Sequence, residues 1–325
     1  MTDNPMEDKT GLHTILGAGG SVGNALTREL LDRNERVRLI SRSKFSWPGA
    51  ESVRGDVTSL SSTIEAVKGS DIVYLCVGLP YETKVWQELW PKVISNAIEA
   101  CKVNNARLIF FDNVYMYGKV DGKMTEDTPY NPCSRKGEIR ANVARQLEHE
   151  MRQGNLSAII ARAADLYGPY ATRSSIPYLL VIDRLRKGHK AQWMVNPNSV
   201  HSCSYTLDCA RGLLLLAAHT ESFNQTWHLP TKNPPISGKA FIEIVAKELG
   251  VEPRYSVLKK WMLRLAGLGN STIREVYEML YQFEFDYYFD SSKFERHFNY
   301  TPTSYSEGIA ETIRFLQQEG ASRQK

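Results

Sequence analysis

Residues 12–23 read LHTILGAGGSVG, an apolar strand pattern that runs directly into a glycine-rich turn. Glycines recur there at every third position, and an amphipathic helix pattern follows over residues 24–32. Such a turn lets backbone N–H groups approach a pyrophosphate, because no Cβ stands in the way. The N-terminal end of the following helix adds partial positive charge at the same place. The stretch therefore predicts a dinucleotide site with five phosphate-binding residues: Gly17, Gly20, Ser21, Val22 and Gly23.

Strand and helix patterns alternate through the first half of the chain. Strand patterns lie near 37–40, 52–53, 71–77, 107–111 and 156–162, and helix patterns near 60–68, 84–104 and 134–153. This alternation predicts an α/β fold with a doubly wound, parallel Rossmann sheet. Ligands of such sheets bind beyond the carboxyl ends of the strands.

The second half loses this rhythm, which predicts a smaller, mostly helical C-terminal substrate lobe. Helix patterns remain over about 176–187, 207–218 and 238–249. We expect the cofactor domain to comprise residues 1–170 with about 200–232. The lobe then comprises about 171–199 and 233–325.

Composition excludes several classes of protein. The 325 residues are 42% hydrophobic and 23% charged, as in ordinary globular proteins. A net charge of +4 without a Lys/Arg run argues against nucleic acid as a partner. No apolar run reaches the roughly 20 residues that a membrane helix needs. Five scattered cysteines and seven histidines show no metal-ligand spacing and fit a reducing cytoplasm. We therefore expect a cytoplasmic protein with a small-molecule substrate and no metal.

The end of the second strand indicates which nucleotide is bound. A carboxylate there would bind the ribose hydroxyls and repel a 2′-phosphate, but residues 41–44 read SRSK. The guanidinium of Arg42 and the hydroxyls of Ser41 and Ser43 are suited to a phosphate. We therefore favour NADP(H) without excluding NAD(H). Further cofactor contacts are expected from Asp56, Val57, Val77, Gly78, Lys136, Ala164 and Asp165.

Several short strings occur in a fixed order along nearly the whole chain. They are GAGGSVG at 17–23, GDVTS at 55–59, DNVYMYG at 112–118, EDTPYNPCSRKG at 126–137, RAADLYGP at 162–169, SYTLDCARG at 204–212 and DSSKFERHFNYTP at 290–302. Together they resemble the extended short-chain dehydrogenase/reductases of the NAD-dependent epimerase/dehydratase family, in an atypical form. The resemblance implies a nicotinamide cofactor and oxidoreductase or epimerase activity. It also implies a homodimer that pairs the helices near 84–104 and 134–153.

The chain departs from the catalytic pattern of the family it resembles. Members usually carry a Ser or Thr after the fifth strand and a Tyr-x-x-x-Lys on the next helix. Alignment of these strings puts Asn113 at the Ser/Thr position, Lys136 at the tyrosine and Arg140 at the lysine. The resemblance also implies a dehydratase acid at the position of Tyr115. Because Val114 and Tyr115 replace the acidic pair, dehydration is disfavoured.

Three interpretations remain open. In the first, the enzyme is active with a rebuilt proton donor, either Tyr115 with its pKa lowered by Lys136 or Lys136 itself. Asn113 then binds the substrate carbonyl, and Arg140 contacts the nicotinamide ribose. In the second, the protein binds NADP(H) without chemistry, as a regulator. In the third, the register differs and Tyr130 or Tyr117 acts. A nucleotide-sugar epimerase with a transient hydride transfer is a further enzymatic alternative.

The substrate site is less marked than the cofactor site. By resemblance, His201 occupies the position of an arginine that grips a diphosphate in nucleotide-sugar enzymes. This favours a small, neutral or weakly polar carbonyl or alcohol. An aromatic-rich stretch at 277–289 packs the core or walls a substrate pocket. The expected substrate contacts are Leu79, Tyr115, Arg173 and His201.

Overall fold

The computed structural model describes residues 11–172 and 175–322, with side chains described up to residue 319. Its strands are β1 (Leu12–Leu16), β2 (Arg36–Ser41), β3 (Glu51–Arg54), β4 (Ile72–Leu75), β5 (Arg107–Asp112), β6 (Lys123–Met124), β7 (Ala158–Arg162), β8 (Asp165–Tyr167), β9 (Ala191–Met194), β10 (Cys203–Tyr205), β11 (Gln225–His228), β12 (Tyr255–Leu258) and β13 (Tyr288–Phe289). Its helices are α1 (Ser21–Leu31), α2 (Leu60–Ala66), α3 (Thr83–Asn104), α4 (Arg135–Arg152), α5 (Asp183–Arg186), α6 (Thr206–Ala218), α7 (Gly238–Leu249), α8 (Lys260–Gly269), α9 (Ser271–Tyr277), α10 (Tyr281–Glu284), α11 (Ser292–Phe298) and α12 (Tyr305–Ser322).

Seven parallel strands form one central sheet in the order β11-β7-β5-β4-β1-β2-β3. Its inner strands are apolar and buried on both faces, as parallel sheets require. The strand order reverses between β1 and β4, so the loops that follow these two strands open a crevice at the carboxyl edge. The predicted doubly wound Rossmann fold is confirmed.

Helices cover both faces of the sheet. On one face, α1 packs against α6, and on the other α3 packs against both α2 and α4. Side-chain caps set two of the helix starts: Ser59 accepts from the amide of Ser62, and Ser134 accepts from that of Gly137. The Ser134 cap fixes the start of α4, and with it Lys136, at the carboxyl edge of the sheet. Among the described residues, no helix has the length and apolar character to cross a bilayer.

The C-terminal part returns repeatedly to this edge. One two-stranded ladder, β6 with β13, joins it to the first half of the chain, and two further ladders pair β8 with β10 and β9 with β12. The helix expected over 176–187 is divided into a π-helical turn (Tyr178–Ile182) and the short α5. The buried residues Tyr178, Val181, Ile182 and Leu185 have the spacing of an ordinary helix face, so sequence periodicity does not reveal the π-helical turn. The division into two domains stays a prediction.

Candidate active site

The glycine turn between β1 and α1 has the geometry of a phosphate cradle. Gly17 has φ +100°, and a Cβ there would lie 2.7 Å from the Cα of Val77 on the neighbouring loop. Only glycine fits such a backbone at such a distance. The amides of Gly17 and Ala18 donate to the carbonyl of Ile40 at 3.2 and 3.1 Å, which ties the turn to β2. Helix α1 then begins at Ser21 without an acidic residue in its first turn, so its free amides face an anion site.

A cavity of about 610 Å³ lies over this turn. That volume is within the usual range of small-molecule sites, roughly 300–1,000 Å³. The cavity is lined by ten of the residues expected from the sequence: Gly17, Gly20, Ser41, Arg42, Ser43, Asp56, Val57, Val77, Gly78 and Leu79. The cradle and the cavity together fit an adenine dinucleotide.

Three further phosphate-site residues, Ser21, Val22 and Gly23, form the first turn of α1, where Val22 and Gly23 are buried. Their contribution to the cradle is therefore made by the backbone. Ala164 is also buried, and its amide donates to the hydroxyl of Ser204 at 2.9 Å.

The ribose end of the cavity is basic. Arg42 is exposed and also lines an adjoining cavity of about 420 Å³ together with Lys44 and Arg54. Asp56, the acidic residue that lines the same cavity, accepts from the amide and hydroxyl of Thr58 at 2.9 and 2.7 Å. These hydrogen bonds, and more weakly the charge of Arg42, lower the pKa of Asp56. Asp56 therefore closes its own turn and does not cap α2.

Lys136 is fully buried at the start of α4 and has partners that the sequence did not predict. Its ammonium group forms ion pairs with Glu275 and with Glu278, the latter at 2.8 Å, and donates to the hydroxyl of Thr83 at 3.0 Å. Burial alone would raise the pKa of Glu275, but hydrogen bonds from Lys136 and Thr83 lower it below its ordinary value. The ammonium charge is thereby neutralised within the protein.

Arg140, one turn further along α4, is also buried and paired. Its Nε donates to Asp112 Oδ1 at 2.9 Å, and its guanidinium lies 4.1 Å from the ring centre of Trp90. A second guanidinium, that of Arg162, lies 3.6 Å from the other oxygen of Asp112. Arg140 is thus part of a buried ion pair, and its contact with the nicotinamide ribose stays a prediction. Asp112, at the end of β5, thus joins two buried cations.

Tyr115 lies in the turn that follows β5. Its ring stacks on Trp86 at 6.2 Å between centroids, and its hydroxyl accepts from that of Tyr81 at 3.4 Å. Burial, and next the negative charge of Asp165, raise the pKa of Tyr115 well above its ordinary value. The phenol therefore stays protonated, a neutral hydrogen-bond donor and a poor acid. We expected Lys136 to lower the pKa of Tyr115; the pKa is instead raised, chiefly by burial.

Residues 13–228 match the model of the NAD dependent epimerase/dehydratase family. The chain belongs to this enzyme family. Among curated relatives, the uncharacterised protein y4nL of Sinorhizobium fredii is 25% identical over 252 residues, covering 71% of this chain and 69% of its own length. The uncharacterised UDP-glucose epimerase YtcB of Bacillus subtilis is 21% identical over 246 residues, covering 65% of this chain and 74% of its own length.

Solved structures of similar fold include enzymes with bound NAD. A double mutant of DesIV, the dTDP-glucose 4,6-dehydratase of Streptomyces venezuelae with NAD bound, superposes with a TM-score of 0.78 at 18% identity over 96% of this chain and 98% of its own. UDP-glucose 4-epimerase of Thermus thermophilus in complex with NAD has a TM-score of 0.77 at 16% identity, covering 94% of this chain and 99% of its own. These likenesses establish the fold.

Within the family fold, Asn113 keeps a place at the end of β5. Its side-chain oxygen accepts from the backbone N–H of Tyr115 at 3.0 Å. Its backbone N–H donates to Oδ1 of Asp112 at 2.8 Å. Because the oxygen is used internally, the NH2 end is the part of the side chain that can donate to a substrate oxygen.

The two tyrosines considered as alternative donors meet a buried cation. The guanidinium of Arg162 donates to the hydroxyl of Tyr117 at 2.7 Å and also to that of Tyr130. Tyr117 in turn bonds to Nε2 of His228 at 2.8 Å, and Nδ1 of His228 donates to the carbonyl of Asp290 at 2.8 Å. Both tyrosines thus serve a buried polar network, which ties β11 to the turn after β5.

This network predicts a loss of stability in acid. Burial, and next the charge of Arg162, lower the pKa of His228 from 6.5 to about 3. The unfolded chain therefore binds a proton that the folded state refuses, and stability falls as the pH drops from 6.5 towards 3. The slope expected from this group is roughly 1.4 kcal/mol per pH unit. Urea unfolding between pH 7 and 4 measures it, and His228→Asn should lose this part of the slope; an equal slope in both proteins would contradict the assignment.

His201 is buried and packs against side chains of the aromatic-rich segment 277–289. Its ring stacks between Phe283 and Tyr287, at 4.4 and 4.7 Å between centroids. Its Nε2 lies 2.9 Å from Asp165 Oδ2. The aromatic stretch therefore packs the core around His201. Asp165 is the more exposed member of this pair. Arg173, the remaining expected substrate contact, lies outside the described residues.

Sequence reasoning missed Thr83, Glu275 and Glu278. Lys136 also donates to the backbone carbonyl of Glu275, which lies 139 residues further along the chain. No local sequence pattern could have linked groups so far apart. A buried lysine in the family's tyrosine position was the available signal, since a buried charge requires partners. Across the described residues, no cluster of three or more His, Cys, Asp or Glu has the arrangement of a metal site.

Proposed function

We propose that this protein is an NADP(H)-dependent oxidoreductase that transfers a hydride to or from a small carbonyl or alcohol. The observation that carries the cofactor preference is the loop after β2, residues 41–44, in which Arg42 and Lys44 add positive charge and no acid occurs. Arg42 lines both the main cavity and the adjoining one, so a 2′-phosphate beside the ribose would meet its guanidinium and, next to it, Lys44 and Arg54. NAD(H) lacks this phosphate and gains nothing from these charges.

The reacting end supports reduction of a neutral carbonyl. A bound nicotinamide supplies or accepts the hydride. Asn113 and Tyr115 offer an amide and a neutral phenol as hydrogen-bond donors to a substrate oxygen. The position at which nucleotide-sugar enzymes were expected to carry an arginine holds His201, which is paired with Asp165. This position therefore holds no arginine to bind a diphosphate, which favours a substrate without one.

Fluorescence titration with NADPH and NADH tests the cofactor assignment. NADPH should bind at least tenfold more tightly, and equal affinities would refute the role of Arg42. Purified protein is then assayed for NADPH oxidation against ketones, aldehydes and sugars, with UDP-glucose and dTDP-glucose included. Turnover of the sugar nucleotides without net oxidation would replace reduction by epimerisation.

Tyr115→Phe should lower kcat by about 10²–10³-fold, the usual effect of removing one donor to a developing oxyanion. Because the phenol remains neutral in the working pH range, the shape of the pH–rate profile should not change. Tyr178→Phe is a matched control, since it removes the hydroxyl of a buried tyrosine that contacts Asp183 at 3.4 Å, outside the site. Unchanged turnover of Tyr115→Phe would exclude this phenol from the reaction.

A second candidate is a non-catalytic NADP(H)-binding regulator. The observation that favours it is the state of the two helix positions that are normally catalytic in the family: Lys136 is neutralised by two carboxylates and Arg140 by Asp112. Tight NADPH binding with no oxidation across the whole substrate panel would favour this candidate.

A further inference from the structure

Asp165 and His201 meet in a contact whose hydrogen count can be worked out. Nδ1 of His201 lies 3.1 Å from the backbone carbonyl of Gln282. A carbonyl oxygen only accepts, so Nδ1 must carry a hydrogen. The other ring nitrogen, Nε2, lies 2.9 Å from Asp165 Oδ2.

A proton must lie between Nε2 and Oδ2. With Nδ1 protonated, a neutral imidazole presents a bare lone pair at Nε2, and an ionised carboxylate also presents only lone pairs. Two lone pairs at this distance repel each other. The contact is satisfied either by imidazolium with carboxylate or by imidazole with carboxylic acid. In both cases the pair holds one proton.

The titratable groups that surround the pair are uncharged. The titratable groups that face it come from several elements: Tyr81 before α3, Tyr115 after β5, Cys203 in β10, Tyr281 in α10 and Tyr287 before β13. Burial raises the pKa of each, and the charge of Asp165 raises it further, so all five stay neutral. Asp165 is therefore the acidic neighbour that these five uncharged side chains have in common.

The two members of the pair differ in access. The side chain of His201 is 2% exposed and that of Asp165 is 18% exposed. His201 is held from both faces by Phe283 and Tyr287, so it cannot turn towards a ligand. Asp165 begins β8 at the carboxyl edge of the sheet, on the side of Tyr115. The carboxyl group is thus the part that a substrate can reach.

We propose that Asp165, backed by His201, exchanges the proton with the substrate oxygen and so takes over the task of the missing tyrosine. This rests on the proposed function above. In the reducing direction the bond between the proton and the pair breaks, an O–H bond forms on the substrate, and the carbonyl π bond opens. A bound NADPH would supply the hydride: a C–H bond of its nicotinamide would break, a C–H bond would form on the carbonyl carbon, and NADP+ would remain. The pair, now a carboxylate beside a neutral imidazole, regains its proton from water.

Asp165 is accordingly the catalytic residue, and His201 is a positioning residue that acts through it. General acids of this kind contribute about 10²–10⁴-fold to the rate. We expect Asp165→Asn to lower kcat by that factor and to remove one limb of the pH–rate profile. His201→Gln should lower kcat by about tenfold and displace the same limb, an effect that a merely structural residue would not produce.

The control for the histidine is His219→Gln. Its Nδ1 also bonds to a backbone carbonyl, that of Leu215 at 2.8 Å, but it lies at the end of α6 outside the site. This variant should keep the wild-type rate and profile. NADPH binding is measured for every variant first, so that lost turnover is not confused with lost cofactor.

A second readout needs no substrate. In ¹⁵N-histidine-labelled protein, the ring signals of His201 are assigned by their loss in His201→Gln and followed from pH 5 to 10. The shared proton is supported if His201 titrates in the wild type and this titration is absent, or moved by more than two pH units, in Asp165→Asn. The reason is that asparagine donates to Nε2 and holds the ring neutral. No titration in the wild type, or the same titration in both proteins, overturns it.

The two readouts separate the failure of this inference from that of the proposed function. If the wild type oxidises NADPH and Asp165→Asn does so equally, with the same pH profile, the inference fails and the function stands. If no substrate is turned over, the proposed reaction fails, and the spectra still decide whether the pair holds an exchangeable proton.

Discussion

Asp112→Ala should lower the free energy of unfolding by about 3–5 kcal/mol, the usual effect of removing one partner from a buried ion pair. The carboxylate is 2% exposed and is the shared counter-ion of Arg140 and Arg162, which are also buried. Without it, two guanidinium groups face each other across a cavity in the core. This is the largest stability effect that we expect from a single polar substitution in the site.

Chemical denaturation of the purified variants measures this effect. Asp32→Ala serves as the control, because this aspartate is 65% exposed and lies 3.6 Å from Arg28 in a surface pair. Its change should stay within about 0.5 kcal/mol. A loss below about 1 kcal/mol for Asp112→Ala would show that water or a rearranged side chain screens the two arginines, and the ion cluster would then not be a structural element of the site.

Arg42→Ala should weaken NADPH binding by about 10–100-fold while changing NADH binding by less than about threefold. A charged hydrogen bond from guanidinium to phosphate contributes roughly 1.5–3 kcal/mol, and each 1.4 kcal/mol corresponds to a factor of ten. NADH has no 2′-phosphate, so it loses only a weak long-range attraction. The selectivity between the two nucleotides is therefore the sensitive quantity.

Fluorescence titrations at two salt concentrations measure both affinities. Arg36→Ala is the matched control: this arginine is exposed at the beginning of β2, whereas Arg42 follows the end of the same strand. It should leave both affinities unchanged. Equal losses for NADH and NADPH in Arg42→Ala would place the guanidinium on the shared part of the nucleotide, and NAD(H) would then become the preferred cofactor assignment.

Much of the cofactor site could be predicted from short stretches of sequence. The glycine turn, the basic residues after β2 and the strand-end positions each depend on residues close together in the chain. The parallel sheet brings all strand ends to one edge, so the local patterns combine into one cavity. The predicted lining residues of that cavity, from Gly17 to Leu79, are found together for this reason.

The reacting end could not be predicted in the same way. Alignment identified Lys136 and Arg140 as departures from the family pattern. The roles expected for them depended on which groups neutralise their charges, and the alignment did not identify those groups. The carboxylates that hold Lys136 come from α9 and the turn after it, far along the chain. His201 was expected as a substrate contact or a relay, and its pairing with Asp165 across 36 residues appears only in the folded chain.

By itself, the sequence determined the strand–turn–helix unit, the parallel sheet and the basic character of the loop after β2, because glycine spacing, apolar periodicity and side-chain charge act over a few residues. Only the tertiary structure decided which buried charges neutralise one another and which carboxylate pairs with His201. Those outcomes depend on the distance between side chains that distant segments bring into a low-dielectric interior, where each buried charge must find a partner.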